Sequence, residues 1–104
     1  MDISVQELKT KLENKEDFVL IDVREPHEHE EFNVGGSLYP VGDLPNKVDQ
    51  LSDQKEAEVV VYCRSGGRSG MAQTILQGAG FKNVRNLTGG MLAWVDTFGT
   101  TKPG

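Results

Sequence analysis

The residues best suited to chemistry stand together in one run, Cys63-Arg64-Ser65-Gly66-Gly67-Arg68-Ser69. Cys63 is the only cysteine of the chain, which excludes an internal disulfide and a Cys-based zinc cluster and leaves the thiol for packing or for reaction. A lone cysteine at a strand end is more often a small buried hydrophobe. The neighbours argue otherwise here. Guanidinium groups at Arg64 and Arg68 favour a thiolate over a thiol, and Gly66-Gly67 lets the backbone curl until several N–H groups face an anion. The predicted chemistry is nucleophilic attack by Cys63. Arg68 is the expected holder of an anionic substrate, because a planar guanidinium binds two oxygens at once, and Arg64 is expected to assist at the rim. The N–H groups from Arg64 through Ser69 are expected to stabilise anionic sulfur as an oxyanion hole stabilises oxygen.

Such a loop works only if a rigid frame presents it. Val59-Val60-Val61-Tyr62 reads as the strongest strand and runs directly into Cys63, and Ala72, Ile75, Leu76 and Ala79 keep helical spacing up to Gly80. The loop therefore joins a strand to a helix amino terminus, whose positive end favours an anion. Phe18 to Val23 is a continuous apolar run with Asp22 near its end, as expected of a strand buried on both faces of a parallel sheet. Ser4 and Glu7 open a first helix as a capping-box pair, with Val5, Leu8 and Leu12 on one face, and it ends near Asn14. Glu25-Pro26 opens a short exposed helix through Phe32. Leu38 to Val41 is strand-like but limited by Pro40, and Leu44, Val48 and Leu51 predict an amphipathic helix capped by Asp43. Val84 to Leu87 reads as a further strand, and Met91 to Phe98 as a last helix with Trp94 in the core. Helices alternating with buried strands predict a three-layer α/β fold whose parallel sheet is covered on both faces. Ligands of such sheets bind beyond the carboxyl ends of the strands, where Cys63 lies.

The chain of 104 residues, 37% apolar and 26% charged, predicts a single domain over 1–104 with residues 100–104 frayed. Eleven basic against sixteen acidic residues, net −5, with no basic block, argue against nucleic acid as a partner. No apolar run approaches the ~20 residues of a membrane helix. The amino terminus lacks a basic start followed by an apolar core, so the expected compartment is the cytoplasm, in keeping with a lone thiol.

The strand end Asp22-Val23-Arg24-Glu25, the loop Cys63 to Ser69, and Gly89-Gly90-Met91 followed by Trp94 resemble, in order and separation, the single-domain rhodanese-like sulfurtransferases, from Ile3 to about Phe98. The resemblance implies a five-stranded parallel sheet between helices, one strand more than the pattern alone gives, the fifth short and near Ile3. It implies that Cys63 takes a sulfane sulfur from thiosulfate or a persulfide donor, carries it as a persulfide, and passes it to cyanide or a thiol. No metal or organic cofactor is implied. The expected partners are a small-molecule sulfur donor and a cyanide or thiol acceptor, with a persulfidated protein as a further candidate. For Asp22 and Arg24 the resemblance implies a place near the site; Asp22 reads as support for the loop or the partner of an arginine rather than as a reacting group.

One departure from the family pattern is plain. Phe32-Asn33-Val34-Gly35-Gly36-Ser37 stands where the family often has Gly-His-Ile-x-Gly-Ala, so Asn33 replaces a frequent histidine and removes a group that titrates near neutral pH. His27 and His29, two apart, do not share a helix face and read as solvated rather than metal-binding. Two rival readings have definite signs. A cysteine phosphatase or arsenate reductase needs five residues between cysteine and arginine, whereas four separate Cys63 from Arg68, giving a smaller mouth. A non-catalytic interaction module on the same fold usually lacks the cysteine.

Overall fold

The computed structural model describes residues 2–100. Its centre is β3 (Glu58–Tyr62), whose last four residues are all fully buried. Because side chains alternate along a strand, Val59 and Val61 enter one apolar cluster while Val60 and Tyr62 enter another on the opposite face. A strand with two buried faces has no polar side, which explains the unbroken apolar run. Beside it lies β1 (Val19–Asp22), parallel to β3 with Val19 opposite Val59 and Asp22 opposite Tyr62. The short β2 (Ser37–Leu38) adds to the far edge of β1, and β4 (Asn83–Asn86) adds to β3.

The strand order is β2-β1-β3-β4, all parallel. A single parallel bridge from Ile3 to Leu87 continues the sheet beyond β4, so the expected fifth strand near Ile3 is reduced to one residue. The chain moves outward from β1 to β2, then crosses back past β1 to β3, which puts the reversal of direction between the carboxyl ends of β1 and β3. Open parallel sheets form a crevice at such a point.

Helices cover both faces. On one side α1 (Val5–Glu13) and α5 (Gly90–Phe98) bury Val5, Leu8, Met91 and Trp94 against Leu20, Val60 and Tyr62. On the other, α3 (Leu44–Lys47) and α4 (Gly67–Gly78) bury Leu44, Ala72 and Leu76 against Ile21, Val59 and Val61. Cys63 continues the odd-numbered series of β3 and so faces the α4 side. The predicted three-layer architecture is observed, and Trp94 is fully buried.

Several local details differ from the sequence expectation. The helix predicted through Leu44, Val48 and Leu51 is a four-residue α3 followed by a 3-10 segment over Val48–Gln54, and the Asp43 side chain makes no capping bond. Asp49, Ser52 and Asp53 are weak helix formers, and only Leu44 and Leu51 are buried anchors there. Of the capping box at α1, the Ser4 hydroxyl accepts the Glu7 N–H at 3.1 Å. The complete box lies instead at α2 (Pro26–Glu31), between Glu25 and Glu28. Thr100 lies in a turn after α5; the rest of the tail expected to fray, 101–104, lies outside the described residues. Among the described residues no helix is long and apolar enough to cross a membrane.

Candidate active site

Cys63 follows the last residue of β3, and its loop turns at once into α4. The turn is made by Gly66, which caps α4 at φ +112°, a conformation that costs a side-chain-bearing residue dearly. The Gly66 N–H points at Cys63 Sγ, 3.0 Å away, and the positive φ then turns the chain into α4. Ser69, in the first turn of α4 and fully buried, places its hydroxyl oxygen 3.3 Å from the same sulfur. Burial by itself pushes the Cys63 thiol up; the Ser69 hydroxyl and the backbone N–H groups of Ser69, Gly66 and Ser65 outweigh it, so the thiol lies below its ordinary value. Cys63 is 1% exposed, its sulfur facing the loop interior. Of the N–H groups from Arg64 through Ser69, that of Gly66 lies at hydrogen-bond distance from the sulfur, and those of Ser65 and Ser69 also favour its anion.

The loop is held from the opposite side of the sheet by α5. The Cys63 carbonyl accepts the Met91 N–H and the Arg64 carbonyl accepts the Leu92 N–H, each at 2.9 Å. Two main chains this close leave no room for a side chain between them. Gly90, at φ +56°, fills the gap, and a Cβ there would stand 2.5 Å from the Cys63 carbonyl oxygen. The physical reason for Gly90-Met91 in the motif is therefore the start of the cysteine loop, whereas a Cβ at Gly89 would meet the Ala93 Cβ at 2.6 Å.

The two loop arginines have different surroundings. Arg68 is forked onto Glu28 of α2, with Nη1 to Oε1 at 2.6 Å and Nη2 to Oε2 at 2.9 Å. The Arg68 guanidinium holds the Glu28 carboxyl down at about 2, against the opposing effect of burial. Arg64 is exposed, and its guanidinium makes no hydrogen bond or ion pair among the described residues. It lines a recess of about 290 Å³ whose walls include Arg24, Glu28, Phe32, Met91 and Leu92.

Asp22 and Arg24 are next to the site and tied to each other. Asp22 is fully buried, and its oxygens accept from Arg24 Nε at 2.9 Å, Arg24 Nη2 at 2.7 Å and the Arg24 backbone N–H at 3.0 Å. Arg24 also donates to the Phe32 carbonyl at 2.7 Å, and its guanidinium lies over the Tyr62 ring. Asp22 therefore pairs with an arginine of its own segment, one of the two roles expected of it. His29 departs from expectation: it is half-buried, with Nδ1 2.8 Å from Asp22 Oδ2, rather than solvated. Folding α2 back over the β1 carboxyl end brings the two together, although they are seven positions apart. Asn33 Nδ2 donates to the His29 carbonyl and Asn33 Oδ1 accepts the Gly35 N–H, so it fastens the end of α2. Among the described residues no cluster of His, Cys, Asp and Glu is placed to hold a metal.

Two residues of the site were not singled out in the sequence. Glu28 sits in a run of acids, His27-Glu28-His29-Glu30-Glu31, with nothing local to separate it from its neighbours. Asn86, at the end of β4, accepts the Ser69 hydroxyl at 2.6 Å and donates to the Gly66 carbonyl at 3.1 Å. Its only signal was its position at a strand end on the sheet edge where the site forms.

A cysteine cradled at the switch point of a parallel α/β sheet defines a class, and comparison with known proteins agrees. The rhodanese-like domain family matches residues 4–97, and the chain belongs to that family. It is 43% identical to a Bacillus subtilis protein named "Putative sulfurtransferase YtwF", covering 98% of this chain and 94% of that one. It is 35% identical to a protein of Allochromatium vinosum named "Sulfurtransferase", covering 89% of this chain and 86% of that one. Among solved structures, the Alr3790 protein from Anabaena sp. superposes with a TM-score of 0.83 at 30% identity, over 98% of this chain and 82% of that one.

Proposed function

We propose that this protein is a sulfurtransferase that moves a sulfane sulfur from thiosulfate or a persulfide donor to cyanide or a thiol through a Cys63 persulfide. The observation that carries the reading is the Gly66 N–H at 3.0 Å from Cys63 Sγ, inside a loop whose other N–H groups and helix amino terminus also favour anionic sulfur. The names of the relatives in Bacillus subtilis and Allochromatium vinosum support the same class of reaction.

In the first half-reaction the Cys63 thiolate attacks the outer sulfur of thiosulfate. A new S–S bond forms, the S–S bond to the sulfite sulfur breaks, and sulfite leaves with the bonding pair. In the second, cyanide or a thiolate attacks the outer sulfur of the persulfide. Thiocyanate or an acceptor persulfide departs, and the Cys63 thiolate is restored. The negative charge moves from Sγ to the outer sulfur of the persulfide and back, within a loop whose N–H groups are already fixed.

The donor's anionic end meets Arg64 first, because that guanidinium is exposed and unengaged. Arg68 reaches the donor by exchanging the Glu28 carboxylate for the donor's oxygens. Asp22 and Arg24 support the floor of the site by pairing with each other. No step calls for a metal or organic cofactor, and a protein persulfide can replace thiosulfate in the same sequence of bonds.

Intact mass spectrometry tests the reading. Incubation with thiosulfate is expected to add about 32 Da to the wild type and nothing to Cys63→Ser, and cyanide is expected to remove the addition with release of thiocyanate. A gain from a persulfidated protein but not from thiosulfate would mark a dedicated carrier. No gain from either, with a slowly alkylated Cys63, would overturn catalysis.

A further inference from the structure

The Asn86 side chain joins the two residues that address the cysteine sulfur. Its amide nitrogen donates to the Gly66 carbonyl at 3.1 Å, and its amide oxygen accepts the Ser69 hydroxyl at 2.6 Å. The direction of the amide follows from chemistry: a carbonyl can only accept, so the reversed amide would set two oxygens against each other at Gly66. The Gly66 carbonyl also takes the Gly70 N–H at 2.9 Å, which fixes that oxygen independently of Asn86.

Ser69 has a single hydroxyl proton and is fully buried, so no solvent competes for it. With the proton directed at Asn86, the Ser69 oxygen turns a lone pair toward Cys63 Sγ, 3.3 Å away. That arrangement suits a neutral thiol, whose S–H can donate to Ser69. It does not suit an anion, which needs the hydroxyl as a donor.

We propose that Asn86 is a positioning residue that sets the direction of the Ser69 hydroxyl, making Ser69 an acceptor for the neutral Cys63 thiol and a donor only once the sulfur is anionic. When Cys63 loses its proton to solvent, the Ser69 C–O bond rotates. The O–H···Oδ1 bond to Asn86 breaks and an O–H···S bond forms, with no further proton changing owner. The Asn86 acceptor is then left without its partner, so its presence favours the thiol relative to the anion. The effect opposes the N–H groups of the loop. Such opposition has a use, because the intrinsic nucleophilicity of a thiolate falls with its basicity and attack is fastest when the thiol titrates near ambient pH.

The charged groups around the sulfur are separate from this arrangement. Arg68 of α4 is held by Glu28 of α2, Arg64 stands in the loop, and Asp22 of β1 is occupied by Arg24 and His29. Arg85 of β4 turns to Glu58 and Glu7, and Asp2 accepts the backbone N–H of Asn86. The Asn86 side chain bonds to none of them.

The inference rests on the proposed role of Cys63 as nucleophile, and its test uses no sulfur donor, so either can fail alone. The pH profile of iodoacetamide alkylation is measured for the wild type, Asn86→Leu, Ser69→Ala and the double variant. With one cysteine in the chain, the rate reports Cys63 alone. Asn86→Leu is expected to lower the midpoint by about 0.5–1 pH unit, the worth of one hydrogen bond. Ser69→Ala is expected to raise it, and to raise it further in the Asn86→Leu background, where the hydroxyl is free to donate throughout. An unchanged or raised midpoint in Asn86→Leu, or equal Ser69→Ala shifts in both backgrounds, overturns the proposal. Should Asn86→Leu not melt cooperatively, Asn86→Ala is measured instead, with the same signs required.

Discussion

Glu28 and Arg68, forty positions apart, meet as a forked ion pair between α2 and the first turn of α4, with both carboxylate oxygens and both terminal guanidinium nitrogens engaged. The pair joins an otherwise exposed six-residue helix to the loop that carries Cys63. It also occupies the Arg68 guanidinium, so under the proposed mechanism the same contact would order the site and compete with the donor's oxygens.

Glu28→Gln weakens that competition. The thiosulfate KM is expected to fall severalfold in steady-state assays, with kcat changed much less, since Arg68 is released while the sulfur cradle is untouched. The pH dependence has a definite sign. The carboxyl is held at about 2 in the folded protein, below its ordinary value of 4.5. Its contribution to stability is therefore complete above the ordinary carboxylate range and is lost as pH falls toward 2. Denaturant midpoints measured from neutral pH down to pH 2 should show a shallower acid decline in Glu28→Gln than in the wild type.

Arg64→Ala should raise the thiosulfate KM about tenfold, the loss of one charge-assisted hydrogen bond. The melting temperature should stay within about a degree of the wild type, because the side chain is exposed and makes no bond within the described protein. A large fall in melting temperature would show that Arg64 has a structural partner.

Gly66→Ala and Gly90→Ala should fail in different ways. At Gly66 a Cβ meets nothing within 4 Å, so the cost is backbone strain at φ +112°, about 1–3 kcal/mol. The N–H aimed at sulfur moves with it, and the alkylation midpoint of Cys63 is expected to rise. At Gly90 the new Cβ would stand 2.5 Å from the Cys63 carbonyl oxygen. Urea titration should find Gly90→Ala the less stable of the two, with the β3 end forced away from α5.

Asp22→Asn should damage folding more than chemistry. The substitution leaves Arg24, only 6% exposed, without a countercharge, and breaking a buried ion pair in this way costs about 3–5 kcal/mol. Sulfur transfer per folded molecule is expected to change less than tenfold, since Asp22 bonds to Arg24 and His29 and not to the cysteine loop. An activity lost completely at full folding would instead make Asp22 a reacting group.

What the amino-acid sequence determined by itself was everything written in local terms. The apolar run Val59 to Tyr62 required a strand buried on both faces, the helical spacing after Gly67 required α4, and between them only a cysteine loop could form. The cradle of N–H groups follows from that order, because each of its members lies within six positions of Cys63. Boundaries blurred where local preference was weak, as in the 3-10 segment over Val48–Gln54.

Only the tertiary structure decided which side chains face the loop from elsewhere. The register of β3 against β4, Val61 opposite Asn86, brings the Asn86 amide to Gly66 and Ser69. The return of α2 over the end of β1 selects Glu28 from a row of acids for Arg68, and His29 from two histidines for Asp22. Those choices turn on a few ångströms between segments seven to forty residues apart. Composition and periodicity say which face a residue takes within its own element; the packing of the layers sets its partner in another.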